Sequence, residues 1–164
     1  MQVLITDPIG KVGTKILKAA GLKIGEKIGA SAEELNKVLP KTDGWIVRSG
    51  TTVTRELMEA APQLKVVGRA GVGVDNIDIP EATLRGIVIM NTPGVNTVAA
   101  AEHTIALMLS LVRNVHRGHS SLIAGQWDRN ELVGSELRGK TLGVIGLGKV
   151  GSEVIKRLHG FGMD

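Results

Sequence analysis

The chain has 164 residues and no cysteine, which excludes disulfide bonds and thiolate metal sites and is consistent with a cytoplasmic location. Its hydrophobic fraction of 43% supports a packed core that must be mainly aliphatic, because only 2% of the residues are aromatic, and no apolar run or N-terminal signal pattern predicts a membrane span or export. Twenty basic and 16 acidic residues give a formal charge of +4 without a basic block, which argues against nucleic acid as a partner and fits a small anionic ligand.

Short apolar runs alternate with helical patterns over the first 95 residues. This alternation is typical of βαβ units around a parallel sheet, and prolines separate the elements. The sequence therefore predicts a flavodoxin-like, doubly wound α/β domain over residues 1–96. The strands are predicted at 3–6, 23–27, 44–48, 65–68 and 87–90, and the helices at 11–20, 32–39, 55–61 and 79–85.

A long helix is predicted next, over 97–116, because its alanines and leucines have high helix propensity and form an apolar face. Residues 118–139 have the glycine-rich pattern of an irregular connector, so that 97–139 links two domains. The apolar run 141–145 then predicts a buried parallel strand, and 152–158 has helical spacing. These last two elements would be the first strand and helix of a Rossmann domain over 140–164.

A GxGxxG pattern stands between that strand and that helix, formed by Gly146, Gly148 and Gly151 with Lys149 and Val150 inside it. The first glycine allows a tight turn, the second lets backbone approach a pyrophosphate, and the third lets helix pack on strand. Backbone N–H groups at the helix start would face the phosphates. This context favours a dinucleotide site, and a glycine-rich turn without a ligand is the alternative.

Polar and glycine residues follow three of the predicted strands. Ligands of open α/β sheets bind outside the carboxyl ends of the strands, so we expect Arg48, Arg69 and the 70–73 loop at one edge. Arg48 could bind a carboxylate or phosphate, and consecutive N–H groups around Gly71 and Gly73 could bind an anion. The structural alternatives are a surface ion pair for Arg48, a salt bridge for Arg69 and positive φ alone for the two glycines.

The remaining polar residues carry weaker signals. Asp75 and Asn76 are predicted to cap the next helix and to hold the loop, and Asn96 or Thr97 to cap the long helix. The histidines lie on or near predicted helices, where helix-end positions explain two of them. Neither a Ser–His–Asp set nor metal-ligand spacing is present, so no general base and no metal site is predicted within the chain.

Four segments occur together in an order that is typical of one family: VRS at 47–49, VGRAGVGVDNID at 67–78, MNTPGVNT at 90–97 and ELRGKTLGVIGLG at 136–148. On these segments the chain resembles the D-isomer-specific 2-hydroxyacid dehydrogenases over essentially its whole length. Within the family it is most similar to enzymes that oxidise 3-phospho-D-glycerate with NAD in serine biosynthesis. The resemblance implies a flavodoxin-like substrate domain with an inserted Rossmann domain that binds NAD.

The resemblance also implies roles for individual residues. Two side chains after the third strand would contact the substrate, the backbone of the next loop would receive its carboxylate, and an asparagine would line the cleft. Some relatives carry threonine where this chain has Val72. The implied substrate-binding residues are Arg48, Ser49, Ala70, Gly71, Val72, Gly73 and Asn96, and the implied cofactor-binding residues are Gly146, Gly148, Lys149, Val150 and Gly151.

The family's catalytic arginine, glutamate and histidine have no counterpart in these 164 residues, and neither have its ribose-binding aspartate and terminal helix. We therefore expect a fragment that is inactive alone and binds NAD weakly or not at all. One strand and one helix cannot pair their edges or bury their apolar faces by themselves. Segment 141–162 is accordingly expected either to be disordered or to pack on a second copy, in a homodimer that could form by domain swapping.

Two other functions stay open at this point. The sequence shows no phosphate-specific motif, so a dehydrogenase that acts on glycerate or hydroxypyruvate is one alternative. A non-catalytic interaction module on the same scaffold is the other, because a fold does not determine a function.

Overall fold

A computed structural model describes residues 1–164, which divide into two compact units, Met1–Val95 (unit 1) and Asn96–Asp164 (unit 2). Unit 1 contains one parallel sheet with the strand order β2-β1-β3-β4-β5. This is the flavodoxin-like order, so the predicted fold class is confirmed. The strands are β1 (Gln2–Ile5), β2 (Lys23–Glu26), β3 (Gly44–Val47), β4 (Val66–Arg69) and β5 (Val88–Met90).

Four helices connect these strands, and three of them begin at a side chain that accepts a backbone N–H. Ser31 forms a capping box with Glu34, Thr54 accepts from Leu57 N, and Asp78 accepts from Glu81 N. Such caps satisfy N–H groups that have no partner inside the helix. The helices are α1 (Lys11–Ala19), α2 (Ala32–Val38), α3 (Arg55–Glu59) and α4 (Ile79–Leu84).

The core of unit 1 lies between one face of the sheet and helices α2, α3 and α4. Its largest side chain is that of Trp45, which is 1% exposed and donates its Nε1–H to Thr6 Oγ1 over 2.9 Å. The other face of the sheet borders a cavity of about 470 Å³, lined by apolar side chains that include Val3, Ile46 and Met90. The two faces are therefore unequally covered.

Unit 2 is helical: α5 (Thr97–Val112), α6 (Val115–Ile123) and α7 (Lys149–Leu158). Its core joins Ala101 and Ile105 of α5 to Val154 and Leu158 of α7, with Leu137 from the connector. None of the helices in either unit is both long and apolar enough to cross a bilayer.

Two predictions for residues 97–164 are corrected by the structure. The helix predicted over 97–116 ends at Val112, because Asn114 adopts a left-handed conformation with φ of 52°, and a separate helix α6 occupies part of the predicted connector. The strand predicted over 141–145 is not formed, although the start of this segment makes main-chain bonds with the end of the chain, from Leu142 N to Asp164 O and from Asp164 N to Lys140 O. Helix α7 is formed, and its Val154 and Leu158 pack on α5 of the same chain, while the packing of 141–162 on a second copy stays a prediction.

Candidate functional site

The carboxyl ends of β1, β3 and β4 lie side by side in the sheet and carry the polar residues of unit 1. Thr6 and Asp7 follow β1, Arg48 follows β3, and Arg69 ends β4. Parallel pairing places these ends at one edge, as the sequence predicts for a ligand site. The structure thus brings the two arginines and their loops together.

Asp7 holds the loop after β3. Its side chain is largely buried, at 7% exposure for the residue, and its Oδ2 accepts the N–H groups of Arg48 at 2.6 Å and of Thr51 at 3.1 Å. A Cβ on Gly50 would overlap Asp7 Oδ1, so glycine is required there by this close approach. Sequence reasoning missed Asp7, although a carboxylate directly after the first strand was a usable signal.

Arg48 itself is exposed, and the only polar contact of its guanidinium within the chain is a long one, from Nη1 to Pro8 O at 3.4 Å. No carboxylate lies within 4 Å of its guanidinium, so the alternative of a surface ion pair is not what the structure shows. Ser49, the next residue, is also exposed and makes no hydrogen bond within the chain. Both side chains are free to meet a ligand.

Asn76 connects the loop after β3 to the end of β4. Its Nδ2 donates to Arg48 O and to Thr51 O, both over 2.6 Å, and its Oδ1 accepts from Arg69 Nε at 3.0 Å. The expectation that Asn76 holds the loop agrees with this geometry. Helix α4 is capped by Asp78 instead, and Arg69 is held by an amide rather than by a salt bridge.

The 70–73 loop offers fewer free N–H groups than expected. Ala70 N donates to Val47 O and Gly71 N donates to Arg69 O, each over 2.8 Å, so these two groups are already satisfied. The N–H groups of Val72 and Gly73 make no hydrogen bond within the chain. The anion-binding part of this loop is therefore its second half.

Neither Gly71 nor Gly73 has a positive φ, and the atoms nearest to a Cβ at either position belong to side chains. A Cβ on Gly71 would overlap Arg69 Nη1, and a Cβ on Gly73 would lie 2.6 Å from Asp75 Oδ1. The guanidinium of Arg69 thus lies directly against the loop backbone. Positive φ, the structural alternative for these glycines, is excluded.

The end of β5 braces the same loop from its other side. Asn91 Nδ2 donates to Val72 O at 2.7 Å, and Thr92 donates to Gly71 O through both its N–H and its Oγ1. Asn96, the residue expected to line the cleft, precedes α5 in unit 2, is exposed and makes no side-chain cap. Its contact with a substrate stays a prediction.

The GxGxxG turn of unit 2 forms without a strand before it. Gly146 has a φ of 92°, Gly148 is the N-cap of α7, and a Cβ on Gly151 would overlap the carbonyl oxygen of Gly146. A Cβ on Gly148 would meet no atom within 4 Å, so this backbone is open to a ligand. Lys149 and Val150 begin α7, where N–H groups without helical partners attract phosphate.

No group of three or more histidine, aspartate or glutamate side chains could hold a metal ion. All four histidines lie in unit 2, at positions 103, 116, 119 and 159. Unit 1 therefore supplies positive charge, N–H groups and hydroxyls at its edge, but no imidazole.

Comparison with known proteins assigns the chain to a family. The profile described as D-isomer specific 2-hydroxyacid dehydrogenase, catalytic domain, matches residues 3–159. The chain belongs to this family. It is 49% identical over 164 residues to D-3-phosphoglycerate dehydrogenase of Archaeoglobus fulgidus, and 46% identical over 162 residues to that of Homo sapiens. These alignments cover 100% and 99% of this chain but only 31% and 30% of the relatives.

Solved structures agree with this assignment. The TT0316 protein from Thermus thermophilus superimposes with a TM-score of 0.92 at 36% identity, over 99% of this chain and 54% of that one. An NAD-dependent formate dehydrogenase from Staphylococcus aureus, in complex with NAD, gives a TM-score of 0.88 at 31% identity with the same coverage. The fold and the family are therefore shown by sequence and by structure.

Proposed function

We propose that unit 1 binds 3-phospho-D-glycerate for an NAD-dependent oxidoreductase that converts it to 3-phosphohydroxypyruvate in serine biosynthesis. One observation carries the proposal: at the carboxyl edge of the sheet, an exposed Arg48 without a carboxylate partner stands beside loops with unsatisfied N–H groups. Relatives named D-3-phosphoglycerate dehydrogenase, 49% and 47% identical to this chain, support the choice of substrate.

The residues of unit 1 would bind and orient the acid. Arg48 supplies charge-assisted hydrogen bonds to an anionic group, and Ser49 adds a hydroxyl beside it. The N–H groups of Val72 and Gly73 belong to the same edge and would receive a second anionic group. Holding both ends of a short acid in this way fixes the C2 hydroxyl between them, which lowers the entropic cost of reaction.

We expect no turnover by these 164 residues alone. The hydroxyl proton needs a base within hydrogen-bond reach, and unit 1 contains no histidine. Asp7, a carboxylate at the site, already accepts two backbone N–H groups. Unit 1 is thus suited to substrate binding, and an assay for NADH production by the chain should show no activity.

We propose that the turn at Gly146, Gly148 and Gly151 holds the pyrophosphate of NAD, with the N–H groups of Lys149 and Val150. The open backbone at Gly148 and the close approach at Gly151 fit that group. A dinucleotide held by these residues would supply the hydride acceptor for oxidation at C2 of the substrate. Binding by this chain alone should be weak, because the turn provides contacts for the pyrophosphate only and residues 141–145 form no paired strand.

The substrate proposal is tested by titrating the chain with 3-phosphoglycerate, glycerate and inorganic phosphate, followed by NMR shifts of loop amides. Arg48→Gln should weaken 3-phosphoglycerate binding by about tenfold or more, the loss expected from removing hydrogen bonds to a charged group. Arg117→Gln, which removes an exposed arginine of unit 2 that makes no salt bridge, is the matched control and should leave binding unchanged.

The other outcomes favour other functions. Equal affinity for glycerate and 3-phosphoglycerate would indicate a dehydrogenase of an unphosphorylated 2-hydroxy acid. No affinity for any small acid, together with a stable protein partner, would indicate an interaction module. Either result contradicts the substrate assignment.

A homodimer is also part of the proposal, and an NADH titration by calorimetry at two protein concentrations tests it. Binding that strengthens with protein concentration would mean that two copies complete the nucleotide site for one another. Absent binding at both concentrations agrees with a turn that supplies only pyrophosphate contacts. Micromolar binding independent of protein concentration would contradict the weak-binding expectation.

A further inference from the structure

The loop after β3 is held at two residues from two sides. Asp7 Oδ2 accepts the N–H groups of Arg48 and Thr51, and Asn76 Nδ2 donates to the carbonyl oxygens of the same two residues. Both main-chain polar groups at each end of the loop are thereby satisfied. The residues between the ends, Ser49 and Gly50, keep their N–H groups free.

The two holding side chains differ in what else they contact. Asp7 follows β1 and holds this loop only, whereas Asn76 also accepts a hydrogen bond from Arg69 Nε at 3.0 Å. Arg69 in turn lies against the backbone of Gly71. A single amide side chain therefore connects the loop that presents Arg48 with the loop that presents the N–H groups of Val72 and Gly73.

From this geometry we infer that Asn76 is a positioning residue that sets the spacing between the two anion-binding loops of unit 1. This role of Asn76 rests on the function proposed above. Asn76 would set the distance between the two loops so that it suits the length of the substrate. Asn76 acts through Arg48 and Arg69 and not by touching the substrate, so it is distinct from the binding residues.

Only an amide can make this set of bonds. Each of its N–H groups meets a carbonyl oxygen at 2.6 Å, and its oxygen meets the donor of a guanidinium. An aspartate would place a negative oxygen against two carbonyl oxygens, and an alanine would make none of the three bonds.

The local fold does not need this side chain. Main-chain bonds already join the two segments, from Val53 N to Asn76 O at 2.8 Å and from Asp78 N to Val53 O at 3.0 Å. Asp7 independently holds the loop after β3. Removing the Asn76 side chain should therefore leave unit 1 folded and change the spacing of the loops.

The test measures 3-phosphoglycerate affinity for the 164-residue chain, for Asn76→Ala and for Asn76→Ala combined with Arg48→Gln. Asn36→Ala, on the exposed surface of α2, is the matched control. We expect Asn76→Ala to weaken binding about tenfold where Arg48 is present and less than about twofold where Arg48 has been removed, because contacting residues couple and distant ones do not. Asn36→Ala should change nothing in either background.

Amide hydrogen exchange of Arg48 and Thr51, whose N–H groups donate to Asp7 Oδ2, gives a second readout without ligand, and exchange should become faster in Asn76→Ala at an unchanged melting temperature. If Asn76→Ala does not fold, Asn76→Ser, which keeps a small polar side chain, takes its place in the same comparison. An equal loss of affinity in both backgrounds, or unchanged affinity, overturns the inference while the proposed function stands. A wild-type chain that binds no 3-phosphoglycerate rejects the proposed function and this inference together.

Discussion

Unit 1 and unit 2 each present a glycine-rich turn that suits an anion, but they build it differently. In unit 1, side chains from other strands and loops (Asp7, Asn76, Asn91 and Thr92) hold the loops in place. In unit 2 the turn at 146–151 depends on its own glycines and on the start of α7. A sheet with five paired strands offers neighbouring strand ends from which a loop can be braced, whereas the segment before the turn of unit 2 belongs to no sheet.

Hydrogen exchange should show the largest difference between the units. The amides of Trp45, Ile46 and Val47 lie in a central strand, so their opening free energy should approach that of global unfolding, about 5 kcal/mol or more. The amides of Val144 and Ile145 make no hydrogen bond within the chain and should exchange with an opening free energy of about 0 kcal/mol. Protection of 144–145 at high protein concentration alone would indicate strand pairing with a second copy.

The two tryptophans, one in each unit, sharpen the comparison further. Trp45→Ala removes a side chain that is 1% exposed and should lower the free energy of unfolding by about 3–5 kcal/mol. Trp127→Ala removes one that is 77% exposed and should change it by no more than about 0.5 kcal/mol. Urea denaturation followed by circular dichroism measures both, and similar losses for the two variants would contradict the assigned cores.

Substitutions at two glycines of unit 2 test whether close packing at the turn is confined to Gly151 or extends to Gly143. Gly151→Val forces a Cβ against the backbone carbonyl of Gly146 and should destabilise the packing of α7 by about 1–3 kcal/mol. Gly143→Val, where a Cβ meets no atom within 4 Å, should cost no more than about 0.5 kcal/mol. Urea denaturation measures both variants, and a large cost at Gly143 would mean that Gly143 is buried in solution.

The smallest expected effect concerns the amino-terminal edge of the sheet in unit 1. The N–H of Gln2 and the ammonium of Lys65 hold the pKa of Asp43 below its ordinary value of 3.8. A lowered folded-state pKa stabilises the protein above the unfolded-state pKa, and this contribution is lost as the pH falls through the folded-state value. Asp43→Asn should therefore lower the melting temperature at neutral pH, with a difference that shrinks in acid.

The control for this variant is Glu131→Gln, an exposed carboxylate of unit 2 without a salt bridge. It should leave the melting temperature at neutral pH unchanged, because the Glu131 side chain makes no salt bridge that the substitution would remove. A gap between Asp43→Asn and the unaltered chain that widens on acidification would have the opposite sign and would refute the assignment.

Much of unit 1 could be read from sequence. Apolar runs between proline and glycine breaks located all five strands to within one residue at each end, and the rule for parallel sheets placed Arg48 and Arg69 at one edge. The hydrogen bonds that hold the loop after β3 could not be predicted in this way. Asp7 and Asn76 are far apart in the chain, and no local pattern shows that both contact the main chain of Arg48.

In unit 2, the sequence pattern did not predict where the long helix ends or whether the apolar run at 141–145 forms a strand. The apolar composition of 97–116 favours one long helix, but the left-handed conformation of Asn114 ends it and α6 begins. The run at 141–145 has the composition of a buried strand, yet Ile145 is fully exposed. Strand formation needs a partner for its N–H and C=O groups, which a sequence window does not contain.

The amino-acid sequence by itself determined the doubly wound class of unit 1 and the glycine turn of unit 2, because periodicity, helix caps and turn glycines act over a few neighbouring residues. The family followed from the resemblance of four segments and from the profile match. Only the tertiary structure decided which N–H groups at the sheet edge are free, that the guanidinium of Arg69 lies against Gly71, and where α7 buries Val154 and Leu158. These features depend on contacts between residues far apart in the chain, where hydrogen-bond satisfaction and close packing select one arrangement.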